Sequence, residues 1–409
     1  MTIPLHDPAR HEPLQPIEWD ARVAARAIER IVRDTEARFS STSHWPNHPL
    51  DADDGESSPV FNMYSGAGGV VWALHHLQAR GAVELSRDYG PYIDTLLPLN
   101  RAWLESIGME ADNASYLMGE TGLLLVGYAM SVDASVLPRL ETLIAGNIDH
   151  PGRELMWGAP GTMLAALFLH RRTREPRWAE RYVEAATRLW SQLEHSPDYR
   201  CVYWPQDLYG RRCAYLGGVH GFAATAAALI AGRDLIDPAK WHAWQQAIVT
   251  TIRNTAERDA GGANWPAYLY PRPDRTHPPK RLMQFCHGAP GMVVCLADIP
   301  ATELDADLVA AGEAIWAAGP LRKGSNLCHG TGGNGYAFLK LHRRTKDGRW
   351  LERARAFAMH AIAQMDAHAR QYGQMRYSLW TGDPGLAIYL ADCVRGSGGA
   401  FPTLDAFFG

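Results

Sequence analysis

Two triplets, Cys286-His287-Gly288 and Cys328-His329-Gly330, stand 42 residues apart, and each opens a glycine turn that leads into an apolar run. Thiolates and imidazoles at matched places are the donor set of a thiolate-rich zinc site. The gap is too long for a compact zinc finger or ribbon, where each ligand pair comes from one tight knuckle, so a large fold must bring the triplets together. His220, in Gly217-Gly218-Val219-His220-Gly221, lies in a turn of the same kind. An imidazole with a near-neutral pKa there suits acid–base chemistry on the same rim.

The turn recurs. Gly-x-x-Gly occurs at Gly66 to Gly69, Gly119 to Gly122, Gly158 to Gly161, Gly218 to Gly221, Gly288 to Gly291, Gly330 to Gly333 and Gly382 to Gly385. Nearly every copy precedes a short, almost unbroken apolar segment, and seven copies in register mark a repeat architecture. Leu169-His170-Arg171-Arg172-Thr173 returns 172 residues later as Leu341-His342-Arg343-Arg344-Thr345. Both continue to an Arg-Trp pair, Arg177-Trp178 and Arg349-Trp350, and the same offset carries Gly158 onto Gly330.

Each repeat reads as a helical hairpin. The segment after the glycines is too uniformly apolar for a surface helix and is expected inside. The segment between is amphipathic: Trp178, Tyr182, Ala185, Ala186 and Leu189 recur at three- and four-residue spacing among Arg and Glu. Seven such hairpins, closed on themselves, predict an all-α fold, an α/α toroid. Units that bury surface against their neighbours let one core outgrow the usual domain limit, so residues 1–409 are expected to form a single domain. About the first 60 residues would be an amino-terminal helix and a mobile loop, Asn47 to Pro59, packed on the ring.

A net charge of −4 argues against a general polyanion binder, so no nucleic-acid partner is expected. No apolar stretch is long enough to span a bilayer, and Met1 to Pro16 is polar, without a signal-peptide core. A cytoplasmic location follows. Six cysteines are sparse for a disulfide scaffold, and Cys295 and Cys393 sit within apolar helix patterns as core residues.

Three segments carry a family resemblance: Gly217-Gly218-Val219-His220-Gly221, Phe285-Cys286-His287-Gly288-Ala289-Pro290-Gly291, and Leu327-Cys328-His329-Gly330-Thr331-Gly332-Gly333-Asn334-Gly335-Tyr336. They resemble the signature motifs of the lanthionine synthetase C-like family, and Ser378-Leu379-Trp380-Thr381-Gly382-Asp383-Pro384-Gly385 resembles its last glycine turn. The resemblance implies a seven-hairpin toroid with a zinc ion held by Cys286, Cys328 and His329. It also implies thioether formation between a thiol and a dehydroalanine or dehydrobutyrine. In lantibiotic cyclases this happens within one peptide, whereas eukaryotic-type relatives add glutathione.

Three protein ligands leave zinc's fourth position open, the pattern of a catalytic site. Two thiolates cancel the metal's charge, so an added substrate thiolate keeps its electron density while its pKa falls. Attack on the alkene then leaves an enolate that needs a proton, for which His220 is the expected donor. His287 is a candidate for supporting the site or contacting the enolate oxygen. Lys323 and Arg376, with Arg322 as competitor, are candidates to bind a glutathione carboxylate or a peptide phosphate. Lantibiotic cyclases resemble one another in an Asp four residues before the second glycine turn. Ser115 stands there in this chain, as in the glutathione-adding branch, and Glu120 is a carboxylate close by in sequence.

Zinc-dependent addition of glutathione to dehydroamino acids in a peptide or protein is therefore the expected activity. A stand-alone peptide cyclase, working on a cysteine-containing peptide after a separate dehydratase, is the alternative within the same chemistry. A non-catalytic zinc- and glutathione-binding adaptor is a third. A toroid glycosidase would need facing carboxylates such as Glu120 and Asp383, and two Cys-His pairs serve no purpose in it.

Overall fold

A helix with almost no polar face is stable in water only where every side can be buried. In the computed structural model, which describes residues 4–51, 59–270, 281–397 and 399–408, seven such helices line a ring: α2 (Ala67–Ala79), α4 (Glu120–Ser131), α6 (Ala159–Thr173), α8 (Phe222–Ala231), α10 (Ala289–Leu296), α12 (Thr331–Thr345) and α14 (Asp383–Arg395). Each packs on the next, and α14 returns to α2. Residues Phe222 to Ile230 of α8 and Thr331 to Leu341 of α12 are all buried.

The outer layer holds α3 (Ile93–Ser106), α5 (Leu137–Gly146), α7 (Pro176–Ser191), α9 (Pro238–Thr255), α11 (Asp305–Ala318) and α13 (Gly348–Tyr372). Its seventh member is α1 (Ala21–Ala37), which packs on α14, so the two ends of the sequence complete one hairpin. Helix α7 buries Trp178, Tyr182, Ala185, Ala186 and Leu189, the expected stripe. Helix α9 meets α8 through the Trp204 ring, which lies between Phe222 (4.9 Å) and Trp244 (5.7 Å). The all-α expectation needs one addition among the described residues, three two-stranded antiparallel ribbons in the longer connections. They are β1 (Glu194–Ser196) with β2 (Cys201–Tyr203), β3 (Gln206–Leu208) with β4 (Arg211–Cys213), and β5 (Glu257–Asp259) with β6 (Gly262–Asn264).

The 172-residue repeat is a repeat of contacts as well as letters. Arg177 lies 4.6 Å over the Trp178 ring and Arg349 lies 4.7 Å over Trp350. Arg174 and Lys346 both end their helices in the left-handed region at φ 61°. His170 and His342 each bond through Nδ1 to a backbone carbonyl five residues on.

The ring's axis is filled by residues 399–408. Phe401 stacks on Phe285 (4.3 Å) and meets Tyr336 and Trp380, while Phe407 meets Trp72, Tyr116 and Phe168. Lys340, whose side chain is fully buried in α12, reaches Asp298 at 2.9 Å and Asp405 at 2.6 Å. Of the expected mobile loop, Asn47 to Asp51 is folded against the ring and residues 52–58 lie outside the described residues.

At Gly69, Gly122, Gly161, Gly291, Gly333 and Gly385, three residues past the glycine that opens each inner helix, close approach leaves no room for a side chain. A carbon on Gly161 would collide with the Leu155 carbonyl oxygen and lie 2.7 Å from Tyr116 Cβ. Gly161→Ala is therefore expected to cost about 1–3 kcal/mol by overpacking. Gly146→Ala, with nothing within 4 Å of the added carbon, is expected to leave stability unchanged or raised. Urea unfolding of the two variants checks this, and equal midpoints would contradict the packing argument.

Candidate metal centre

Seven glycines, Gly66, Gly119, Gly158, Gly221, Gly288, Gly330 and Gly382, sit immediately before the inner helices as their N-caps. This corrects the fourth turn, where the pair Gly218 to Gly221 is three residues out of step. Gly221 is the cap, and Ala224 takes the place of the second glycine. In that register the residues two before each cap are Tyr64, Leu117, Met156, Val219, Cys286, Cys328 and Trp380. Backbone hydrogen bonds join them in sequence: Cys286 N donates to Cys328 O (3.0 Å), Cys328 N to Trp380 O (2.9 Å), Trp380 N to Tyr64 O (3.1 Å), Tyr64 N to Leu117 O (3.1 Å) and Leu117 N to Met156 O (3.2 Å). Leu155 N extends the series to Val219 O (3.3 Å). Between Val219 and Cys286 the backbones touch instead, since any side chain on Gly217 would collide with the Cys286 carbonyl oxygen.

Cys286 and Cys328 therefore occupy the same position in adjacent turns, and His220, His287 and His329 occupy the next position along. The donor atoms of Cys286, Cys328 and His329 lie within 4.8 Å of one another. Among the described residues, this is where three metal-ligating side chains converge. Cys328 is buried and the other two are partly so. The Tyr64 hydroxyl donates to Cys328 Sγ and the Gln284 carboxamide to Cys286 Sγ, both at 2.9 Å. Asn326 Oδ1 accepts from the His329 backbone N–H (3.0 Å) and fixes that turn. The hydrogen bond from Cys328 holds Cys286 well below the usual thiol pKa, whereas burial pushes Cys328 well above it. Two sulfurs and an imidazole converging within 4.8 Å form a donor set that a divalent cation would satisfy.

Beside this cluster His220 Nδ1 bonds to Glu154 Oε2 at 2.9 Å, and the Glu154 side chain is fully buried. Glu154 also accepts from the backbone N–H groups of Met156 (2.9 Å) and Trp157 (2.6 Å). Burial works to lower the His220 pKa. The charge and hydrogen bond of Glu154, with Cys286 beyond, outweigh it and leave the value raised. The Tyr215 ring lies 6.0 Å from His220 and 5.6 Å from His287, and Tyr209 packs on the outer side of His220. His287 is not in the ligand cluster. Its Nδ1 is buried without a hydrogen-bond partner, and burial lowers its pKa.

Glu154 was missed in the sequence because its position usually holds a cap. Asn62 and Asn326, also four before their cap glycines, accept from backbone N–H groups of their own turns. A Glu where Asn suffices was the available signal. Ser115, the matching residue of the second turn, is buried with its hydroxyl unpartnered. A carboxylate thus reaches His220 from the third turn, and Ser115 does not decide between the branches. Glu120 is no substitute, being ion-paired to Arg101 and Arg139. Asp383 accepts from Arg376 N (2.9 Å) and the Ser325 hydroxyl (3.3 Å), and burial raises its pKa to about 6. With separate partner sets, Glu120 and Asp383 do not form a glycosidase pair.

The cations divide. Lys323 is exposed, close enough to act on Cys328, and makes no ion pair among the described residues. Arg376 is held bidentate by Asp51, with Nε to Oδ2 at 2.7 Å. Arg322 lies 4.0 Å from Glu12 on a cavity lined by His6, His11 and Trp316.

This chain is similar to two curated plant and animal proteins. "Glutathione S-transferase LANCL1" of Danio rerio is 24% identical over 285 residues, 66% of each chain, and "LanC-like protein GCL1" of Arabidopsis thaliana is 33% identical over 134 residues, 31% of each. The matched stretches thus span just under two thirds and just under one third of the relatives' own lengths. Among solved structures, nisin cyclase superposes with a TM-score of 0.58 over 91% of this chain and 100% of that one, at 15% identity, a likeness of fold. Residues 60–405 match the family described as lanthionine synthetase C-like protein, and the chain belongs to that family.

Proposed function

We propose that this protein is a zinc-dependent enzyme that adds a thiol, glutathione, to dehydroalanine or dehydrobutyrine residues of a peptide or protein. The observation that carries the reading is the His220–Glu154 pair set beside a Cys286, Cys328 and His329 cluster. The name of the Danio rerio relative supports glutathione as the donor. Six free thiols agree with a cytoplasmic setting.

Zinc held by the three side chains would supply a Lewis acid that keeps an added thiol deprotonated and nucleophilic near neutral pH. The addition places sulfur on the β-carbon and a proton on Cα, so no oxidant or reductant is consumed. Glu154 accepts from His220 Nδ1, which fixes the tautomer and leaves Nε2 as the atom that carries the mobile proton. His220 then donates that proton at Cα, and Glu154 stabilises the charged imidazolium before transfer. Lys323 is the best placed cation for a glutathione carboxylate, because Arg376 would first have to leave Asp51. Cyclisation of a cysteine-containing peptide uses the same groups and is the second reading, since His220 has a carboxylate partner despite Ser115.

Purified protein is expected to carry about one zinc per chain. Cys286→Ala, Cys328→Ala and His329→Ala should each lose it, and Cys295→Ala, in the core of α10, should keep it. Elemental analysis decides, and a metal-free yet fully active preparation would overturn the reading.

His220→Asn is expected to keep metal and thiol binding but to lose about a hundred- to ten-thousand-fold in addition rate. The groups facing His220 are Glu154, Cys286, His287, Tyr209 and Tyr215. Glu154 raises the His220 pKa, so protonated His220 persists above the ordinary histidine range and the rate falls as pH rises through the raised value. Glu154→Gln removes the raising charge, and the alkaline limb of kcat should move to lower pH. An unmoved limb would detach Glu154 from the proton transfer.

A dehydroalanine peptide supplied with glutathione, beside a peptide bearing both cysteine and dehydroalanine, separates the two readings by mass spectrometry. Glutathione adducts that require Lys323 support addition. Cyclised peptide with no adduct would establish the second reading.

A further inference from the structure

We infer that Tyr64 and Gln284 are positioning residues of the metal centre, each donating one hydrogen bond to one of the two cysteine sulfurs and thereby setting how much charge the sulfurs give to the metal. The inference rests on the reading that Cys286, Cys328 and His329 hold a divalent metal.

Tyr64 belongs to the first glycine turn, yet it serves the sixth. Trp380 stands between them, donating its N–H to Tyr64 O and accepting from Cys328 N. The Tyr64 and Trp380 rings pack at 5.7 Å, and the phenol then reaches Cys328 Sγ at 2.9 Å. The first turn is thus tied to Cys328 by backbone and by side chain.

Gln284 stands four before its cap glycine, where Asn62, Glu154 and Asn326 spend their side chains on backbone N–H groups of their own turns. In the fifth turn the backbone does that work, with His287 N donating to Gln284 O (3.1 Å) and Gln284 N to His287 O (3.0 Å). The carboxamide is released for another use. Its Oε1 accepts from the Arg10 guanidinium at 3.0 Å, and because a guanidinium only donates, the amide nitrogen must be the atom at Cys286 Sγ, 2.9 Å away. Arg10 is itself held by the exchange of Arg322 N to Arg10 O (3.0 Å). A residue near the start of the chain therefore orients a donor to a cysteine sulfur.

A hydrogen bond to a ligand sulfur draws charge from it and weakens its donation to the metal. With two thiolates in the set, one donor on each keeps the metal positive enough to accept a third sulfur.

Cobalt(II) in place of zinc reports this directly through sulfur-to-metal charge-transfer bands. Tyr64→Phe and Gln284→Met should each move the bands to lower energy, because the freed sulfur donates more charge, yet weaken cobalt binding by about ten- to a hundredfold, because that sulfur loses the contact that orients it, and the double variant should move the bands further. Arg10→Met, remote from the sulfurs, should move them in the same direction by less, which guards against a variant that fails to fold. Bands present in the unmodified protein but unmoved in every variant would overturn the inference and leave the metal reading standing. No bands in the unmodified protein would overturn both.

Discussion

Everything at the mouth of this ring depends on backbone hydrogen bonds between successive glycine turns. A turn that donates from the residue two before its cap, to the same residue of the next turn, can do so only if the two helix N-termini approach closely. The glycines allow that approach, and in every turn but the fourth, where Ala224 stands, a carbon added at the second glycine meets a carbonyl oxygen of its own turn. Once the turns are in register, the identity of a side chain at one repeat position decides what faces the mouth. Cysteines at that position in two adjacent turns bring their sulfurs together without any further device.

The electrostatics of the mouth follow from burial. A hydrogen bond from its neighbour lowers the pKa of one sulfur of the pair and desolvation raises that of the other, so a cation set between them would be favoured. The opposite case lies beside it, where the fully buried Glu154 has its charge met by two backbone N–H groups and the His220 ring. The charge and hydrogen bond of that carboxylate keep its histidine basic. The same turn geometry thus supplies a place where metal-ligating side chains converge and a place where a histidine is kept basic.

The opposite side of the ring is closed by packing. Phe401 lies beneath Phe285, the residue before Cys286, and Phe407 gathers aromatic rings from α2 and α6 and the turn that precedes α4. Lys340 is buried within the wall and carries two carboxylates from different segments, Asp298 and Asp405. Buried charge of this kind adds little stability against an apolar replacement, yet it leaves a strong penalty for any arrangement that separates the partners. It therefore favours one placement of residues 399–408 on the axis.

What this sequence determined by itself was whatever is local or periodic. The seven turns, the buried apolar helices, the α7 stripe and the twin contacts of Arg177 and Arg349 all follow from letters within a few positions of one another. The Cys and His residues able to bind metal were visible for the same reason. Only the tertiary structure decided which side chains meet across the ring. It shifted the fourth turn by three residues, paired α1 with α14, and set Glu154 on His220 from 66 residues away. It also gave Arg376 to Asp51, 325 residues distant, so a cation that reads as free in the sequence is already satisfied. Such pairings carry no local signature, because a charged side chain looks the same in a sequence whether its partner is water or a buried carboxylate brought by ring closure.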